Sequence, residues 1–264
     1  MELNEMKKEL FYEPKHAMET VDDAVVKAAD DFCEGYKSYL DFAKIERESV
    51  EFFVAEAEKR GYQEFDNTKK YNAGDKVYFN NRNKAIILCV IGKKSIAEGV
   101  KISAAHIDSP RLDLKQVPMY EDSGMCFLKT HYYGGVKKYQ WTAIPLALHG
   151  VMVKADGEVV EVKIGEDDTD PVFYINDLLP HLAQRQSQEP LGSAISGESL
   201  NILIGGLPYA DKEVSDKIKL TALSLLHDKY GVTEEDFISA ELSLVPAFKA
   251  RDIGFDRALI ASYG

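Results

Sequence analysis

Residues 103–115 read SAAHIDSPRLDLK. Small residues lead into His106, Asp108 follows two positions on, and Pro110–Arg111 gives way to Leu112 and Leu114 alternating with charged residues. In an extended chain residues i and i+2 share a face, so His106 and Asp108 can point the same way. Pro110 also marks a change of texture. Before it the sequence mixes helical and strand periods, and after it period two dominates.

Working toward the N-terminus, GVKISAAHID (99–108) reads as a short, mostly apolar strand covered on both faces. KVYFNNRNKAIILCVIG (76–92) reads as two β-rich runs around a turn, a hairpin. VDDAVVKAADDFCEGYKSYLDFAKI (21–45) and ERESVEFFVAEAEKRG (46–61) carry apolar residues at helical spacing, and Gly61 is placed to stop the second helix.

Toward the C-terminus, LDLKQVPMY, GMCFLKTHYY, WTAIPLALHGVMVKA and EVVEVKIG are strand candidates joined by turns such as EDSG and ADGE. A short helix is expected over INDLLPHLAQRQ (175–186), an exposed loop over 186–199 and a strand over LNILIGGLP (200–208). VSDKIKLTALSLLHDKYG (214–231) is an amphipathic helix stopped by Gly231, and ISAELSLVPAF (238–248) returns to strand. An α/β start followed by a β-rich block is the pattern of a domain inserted into a loop of a parent sheet.

Composition excludes several classes. With 45% apolar residues and a formal charge of −12, the chain is globular and unsuited to nucleic acid or an anionic membrane. Cys33, Cys89 and Cys126 are widely spaced in apolar surroundings and read as reduced core residues. The first residues lack the apolar core of a signal peptide, and no run approaches the roughly 18 residues of a membrane span. A soluble, cytoplasmic chain is expected.

A neutral imidazole is a good zinc ligand, and a carboxylate accepting its second N–H fixes the tautomer and raises its basicity. The plainer alternative is a strand-end histidine beside a turn-capping aspartate. Other candidates are weaker. GEDDTD (165–170) lacks the glycine and final glutamate of a calcium loop and reads as a solvated turn. His181 and His227 fall in helical patterns. GES at 197–199 lacks the context of a nucleophile elbow, and IGGLP at 204–208 lacks the lysine of a phosphate loop. HYYGGVKKYQWTAIPLALHG (131–150) admits two readings, an aromatic hairpin or a loop that reaches an active site.

SAAHIDSPRLDLK resembles the first metal-ligand motif of the M18 metalloaminopeptidases, the aspartyl aminopeptidase family. YFNNRNKAIILCVIG, THYYGGVKKYQW, IPLALHGVMV, DLLPHLAQRQ and ELSLVPAFKARDIGFDRALIASYG follow in the family's order. The resemblance covers essentially the whole chain and is nearest the bacterial branch. It implies an α/β sandwich of the zinc-peptidase type with an inserted β-rich oligomerisation domain, and a two-zinc site that polarises the scissile carbonyl and activates a water. His106 would be a zinc ligand and Asp108 the carboxylate that orients it. Arg185 stands where other members carry a histidine that enters the partner's active site, so His181 and Arg185 are interface or neighbouring-site candidates.

The resemblance divides the chain into 1–114, the start of the catalytic domain, 115–240, the inserted dimerisation domain, and 241–264, a return to the catalytic domain. It implies release of N-terminal residues from peptides with a free N-terminus. It places the general base and the remaining metal ligands after the stretch DRALIASYG. These 264 residues are therefore expected to be the N-terminal portion of such an enzyme, inactive alone, with doubtful zinc binding. A dimer through 115–240 is expected, and a dodecamer only for a longer chain. The rival reading is a non-catalytic oligomerisation or interaction domain.

Overall fold

A computed structural model describes residues 3–210 and 215–263. Val214, where the last predicted helix begins, and Gly264 lie outside the described residues.

Helix α1 spans Leu3–Leu10. Helix α2, Asp23–Phe42, opens on Asp22, whose carboxylate accepts the Val25 amide at 2.9 Å. Helix α3, Glu46–Lys59, is opened by Glu48, which turns back to accept the amides of Lys44 at 2.8 Å and Ile45 at 3.2 Å. Such contacts satisfy N–H groups that have no partner within the helix. Tyr39 of α2 packs between Phe52 and Phe53 of α3, with ring centroids 5.0 and 5.1 Å away.

The predicted hairpin forms as β2, Lys76–Asn81, and β3, Ala85–Val90, turning through Arg82 and Asn83, both at positive φ. Strand β1, Gln63–Glu64, joins β2 in parallel to complete a three-stranded sheet. After Pro110 the chain builds a second sheet from β4, Arg111–Asp122, β5, Met125–Tyr133, β6, Leu146–Val153, β7, Val159–Ile164, β8, Ile202–Gly205, and β9, Glu241–Pro246. Helix α4, Leu191–Ala194, precedes β8, and α5, Lys217–Tyr230, precedes β9. The strand order is β7-β6-β9-β4-β5-β8, antiparallel throughout. A small ladder of β10, Arg251–Ile253, and β11, Leu259–Ala261, ends the fold. The α/β class holds, and the six-stranded sheet runs from Arg111 to Pro246.

The two faces of that sheet differ because strand side chains alternate. Leu112, Leu148, Leu242 and Leu244 join the main core with Ile218 of α5, Val232 and Phe237. The opposite face carries Ala147 and Val245 packed with Ile45, and beside them the polar Arg111, Asp113, His149 and Ser243. Helix α3 brings its first turn to this polar face.

Three local expectations fail and a fourth holds only in part. Residues 99–110 form no strand and are largely exposed. A strand buried on both faces needs neighbours on both edges, and among the described residues none pairs with this segment. Residues 175–186 form turns instead of a helix; Pro180 supplies no amide in the middle of the segment. The segment 186–199 is largely exposed as expected, but it is folded into short helical turns with Ile195 buried. The aromatic segment 131–150 is not a hairpin, because β9 and β4 lie between β6 and β5. Of the cysteines Cys126 is buried, Cys33 is half-buried and Cys89 is exposed; all three are unpaired.

Candidate functional site

The corner at Pro110 is held from two sides. Tyr263 sends its hydroxyl to the Pro110 carbonyl and sets its ring edge-on to Trp141, with centroids 6.2 Å apart. On the other side Arg111 is nearly buried and donates to Asp113 Oδ1 at 2.7 Å and Glu46 Oε1 at 2.8 Å. Asp113 also accepts the Ser243 hydroxyl at 2.7 Å, which ties β4 to β9.

From this anchor a chain of contacts leads to His106. The Arg111 guanidinium lies 4.1 Å from the centre of the Tyr133 ring. The Tyr133 hydroxyl donates to Asp108 Oδ2 at 2.8 Å. His106 Nδ1 lies 2.9 Å from the Asp108 carbonyl oxygen and 3.3 Å from Asp108 Oδ1. The Tyr133 hydroxyl, and after it the Asp108 backbone amide, holds the Asp108 carboxyl below the usual carboxylate range. With Nδ1 engaged, Nε2 is the ring nitrogen left for a ligand, on a side chain 85% exposed. An open depression of about 1260 Å³ adjoins the corner through Pro110 and is lined by charges of both signs, including Lys249, Arg251, Glu166 and Asp168.

Residues 39–264 match the profile of the family described as Aminopeptidase I zinc metalloprotease (M18). The chain belongs to the M18 family. It is 48% identical over 263 residues to a probable M18 family aminopeptidase 1 of Clostridium acetobutylicum, covering 98% of this chain and 57% of that protein. The crystal structure of an M18 aminopeptidase from Thermotoga maritima superposes with a TM-score of 0.87 at 38% identity, over 95% of this chain and 54% of that one. The crystal structure of aminopeptidase I from Clostridium acetobutylicum gives 0.84 at 45% identity, over 95% and 56%. The chain spans about half the length of the curated relatives it matches.

The family is one of zinc enzymes, so the corner can be tested as a zinc site. A catalytic zinc takes three protein ligands. Among the described residues no group of three or more His, Cys, Asp and Glu is arranged to hold a metal. One imidazole braced by the Asp108 main-chain carbonyl, with the Asp108 carboxylate 3.3 Å away, fits a single ligand position, and these residues do not by themselves fit the whole ion.

His106 and Asp108 are thus brought together. His181 and Arg185 lie exposed in the turns after Leu179, and among the described residues neither hydrogen-bonds nor ion-pairs with His106 or Asp108. Asp170 caps its own turn by accepting the Gly165 amide at 3.0 Å. The sequence reading missed Tyr133, Arg111 and Glu46 as supports of the pair. Tyr133 lies in the aromatic segment for which a loop reaching an active site is one of two readings, but Glu46 is 65 residues from Arg111 and carried no local signal.

Proposed function

We propose that this chain supplies one arm of the metal centre of an M18 aminopeptidase, with His106 as zinc ligand and Asp108 as the carboxylate that fixes its ring. The observation that carries the reading is the His106–Asp108 contact, with Tyr133 holding the far oxygen of the carboxylate. The substrates are peptides with a free N-terminus, cleaved in the cytoplasm. The other metal ligands and the general base come from outside the residues gathered here, so the 264-residue polypeptide alone turns over no peptide. Fusing the chain to the remaining part of the Clostridium acetobutylicum relative tests this. The chimera should hydrolyse aminoacyl p-nitroanilides in zinc, and His106→Ala should abolish turnover. A folded chimera whose activity survives that substitution would refute the assignment.

We also propose that the block expected at residues 115–240, whose sheet extends over Arg111–Pro246, forms an inserted dimerisation domain between two flanking catalytic segments. Its support is the separation of the sheets, since no strand of the hairpin sheet pairs with the six-stranded one among the described residues. The dimer forms through this block, His181 and Arg185 sit near its contacts, and a dodecamer needs the longer chain. Light scattering on the purified chain should show at most a dimer, and a dodecamer would overturn the arrangement. The second reading, a non-catalytic interaction domain, is favoured by the exposed Ile87, Leu88 and Val90 of β3.

A further inference from the structure

Three successive residues at the start of α3 reach three adjacent strands. Glu46 pairs with Arg111 of β4 at 2.8 Å, Arg47 with Glu241 of β9 at 2.6 Å, and Glu48 with His149 of β6 at 2.7 Å. The last contact lies deepest, because the His149 side chain is fully buried. Its Nδ1 faces Glu48 Oε1 at 2.7 Å and its Nε2 faces Glu166 Oε1 at 2.9 Å.

A neutral imidazole has one N–H and one lone pair. Between two carboxylate oxygens it would turn that lone pair onto one of them, whereas an imidazolium donates to both. The alternative, a proton on one carboxyl, is opposed by each carboxylate's other partners. Glu48 accepts the amides of Lys44 and Ile45 through Oε2, and Glu166 Oε1 takes the Lys44 ammonium at 2.7 Å. Lys44 Nζ is fixed in turn by the Pro246 carbonyl at 2.9 Å, and Lys163 of β7 stands 3.5 Å from Glu48. From β9, Ser243 sits opposite His149 in the ladder with its hydroxyl committed to Asp113, and Glu241 is taken by Arg47 and Lys84.

We propose that a proton on His149 bolts helix α3 to the six-stranded sheet, making the seat of that helix a pH-dependent device. Burial works against the charged ring, but Glu166 and Glu48 outweigh it and hold the imidazole above its ordinary range. Burial likewise works against ionised Glu48 and Glu166, and the His149 hydrogen bonds, with Lys44 and Lys163, hold both carboxyls below theirs. A raised imidazole contributes stability in full below its unfolded value near ~6.5 and loses it as pH rises through the folded value. The depressed carboxyls contribute above their unfolded value near ~4.3 and fail as pH falls through the folded one. The bolt is therefore tightest between these limits and loosens as pH rises through the raised midpoint of His149. Glu46, in the same helical turn, holds Arg111 and through it Tyr133, so the seat of α3 and the His106 corner form one network.

The test is a pH titration of the full 264-residue chain with ¹⁵N-labelled histidine, the His149 resonance being assigned by loss in His149→Gln. The His149 midpoint should lie above that of free histidine, and Glu166→Gln should lower it. Hydrogen-exchange protection of the first-turn amides of α3 should fall across the same midpoint in the wild type and lose that step in His149→Gln. A midpoint at or below the free value overturns the proposal, as does a protection step that persists in His149→Gln. If His149→Gln does not fold, the wild-type and Glu166→Gln midpoints decide the matter, with assignment by selective unfolding of the buried resonance.

Discussion

Replacing Gly150 by alanine should break the centre of the six-stranded sheet. Gly150 stands at φ 136°, opposite Leu242 in the β6–β9 ladder. A Cβ there would lie 1.9 Å from the Glu241 carbonyl oxygen and 3.1 Å from the Leu242 Cα. Carbon and oxygen settle at roughly 3.3 Å, so the strands must part by roughly 1.4 Å, enough to break the flanking ladder bonds. Two such bonds contribute about 1 kcal/mol each, and a side chain held at this φ costs about 1–3 kcal/mol. The expected loss is about 3–5 kcal/mol, a large part of the stability of an ordinary domain. Urea unfolding followed by circular dichroism and by fluorescence of the single tryptophan, buried Trp141, measures it. Gly35→Ala is the control. It lies inside α2 with open space where a Cβ would stand, so it should stabilise by about 0.5–1 kcal/mol. A Gly150→Ala chain within about 1 kcal/mol of wild type would refute the close approach of β6 to β9.

Two further outcomes follow from the same geometry. Burial pushes the Cys126 thiol up to about 11, while Cys89 is exposed on β3, so iodoacetamide at pH 8 should label Cys89 in the native protein and Cys126 only after unfolding, as read by peptide mass spectrometry. Tyr133→Phe removes the first cause of the depressed Asp108 carboxyl, so its ¹³C titration should move up toward the ordinary carboxylate range; an unmoved midpoint would show that Tyr133 does not hold Asp108.

Periodicity made much of this fold legible. The apolar spacing of α2 and α3, the turn residues of β2–β3 and the Gly231 stop of α5, observed at φ 66°, are local devices whose consequences are local. Residues 99–108 misled for the converse reason. Apolar β-like composition makes a strand only beside a partner, and none is present for it among the described residues. The His106–Asp108 pair could be read because its spacing is two residues, whereas the braces behind it come from distant chain. His149 shows the limit most clearly. Within ALHGVMV it reads as one residue of an apolar strand, while its carboxylates stand 101 and 17 residues away. Only the fold, by turning His149 onto the face that meets α3, makes them a cluster.

The central claim is that His106 and Asp108 are one arm of a zinc site and not a whole one. Zinc titration of the purified 264-residue chain by calorimetry, with an aminoacyl p-nitroanilide assay on the same sample, tests it most directly. The account predicts weak, substoichiometric zinc and no turnover above that of His106→Ala. One or two tightly held zinc ions per chain, with turnover lost on His106→Ala, would contradict it.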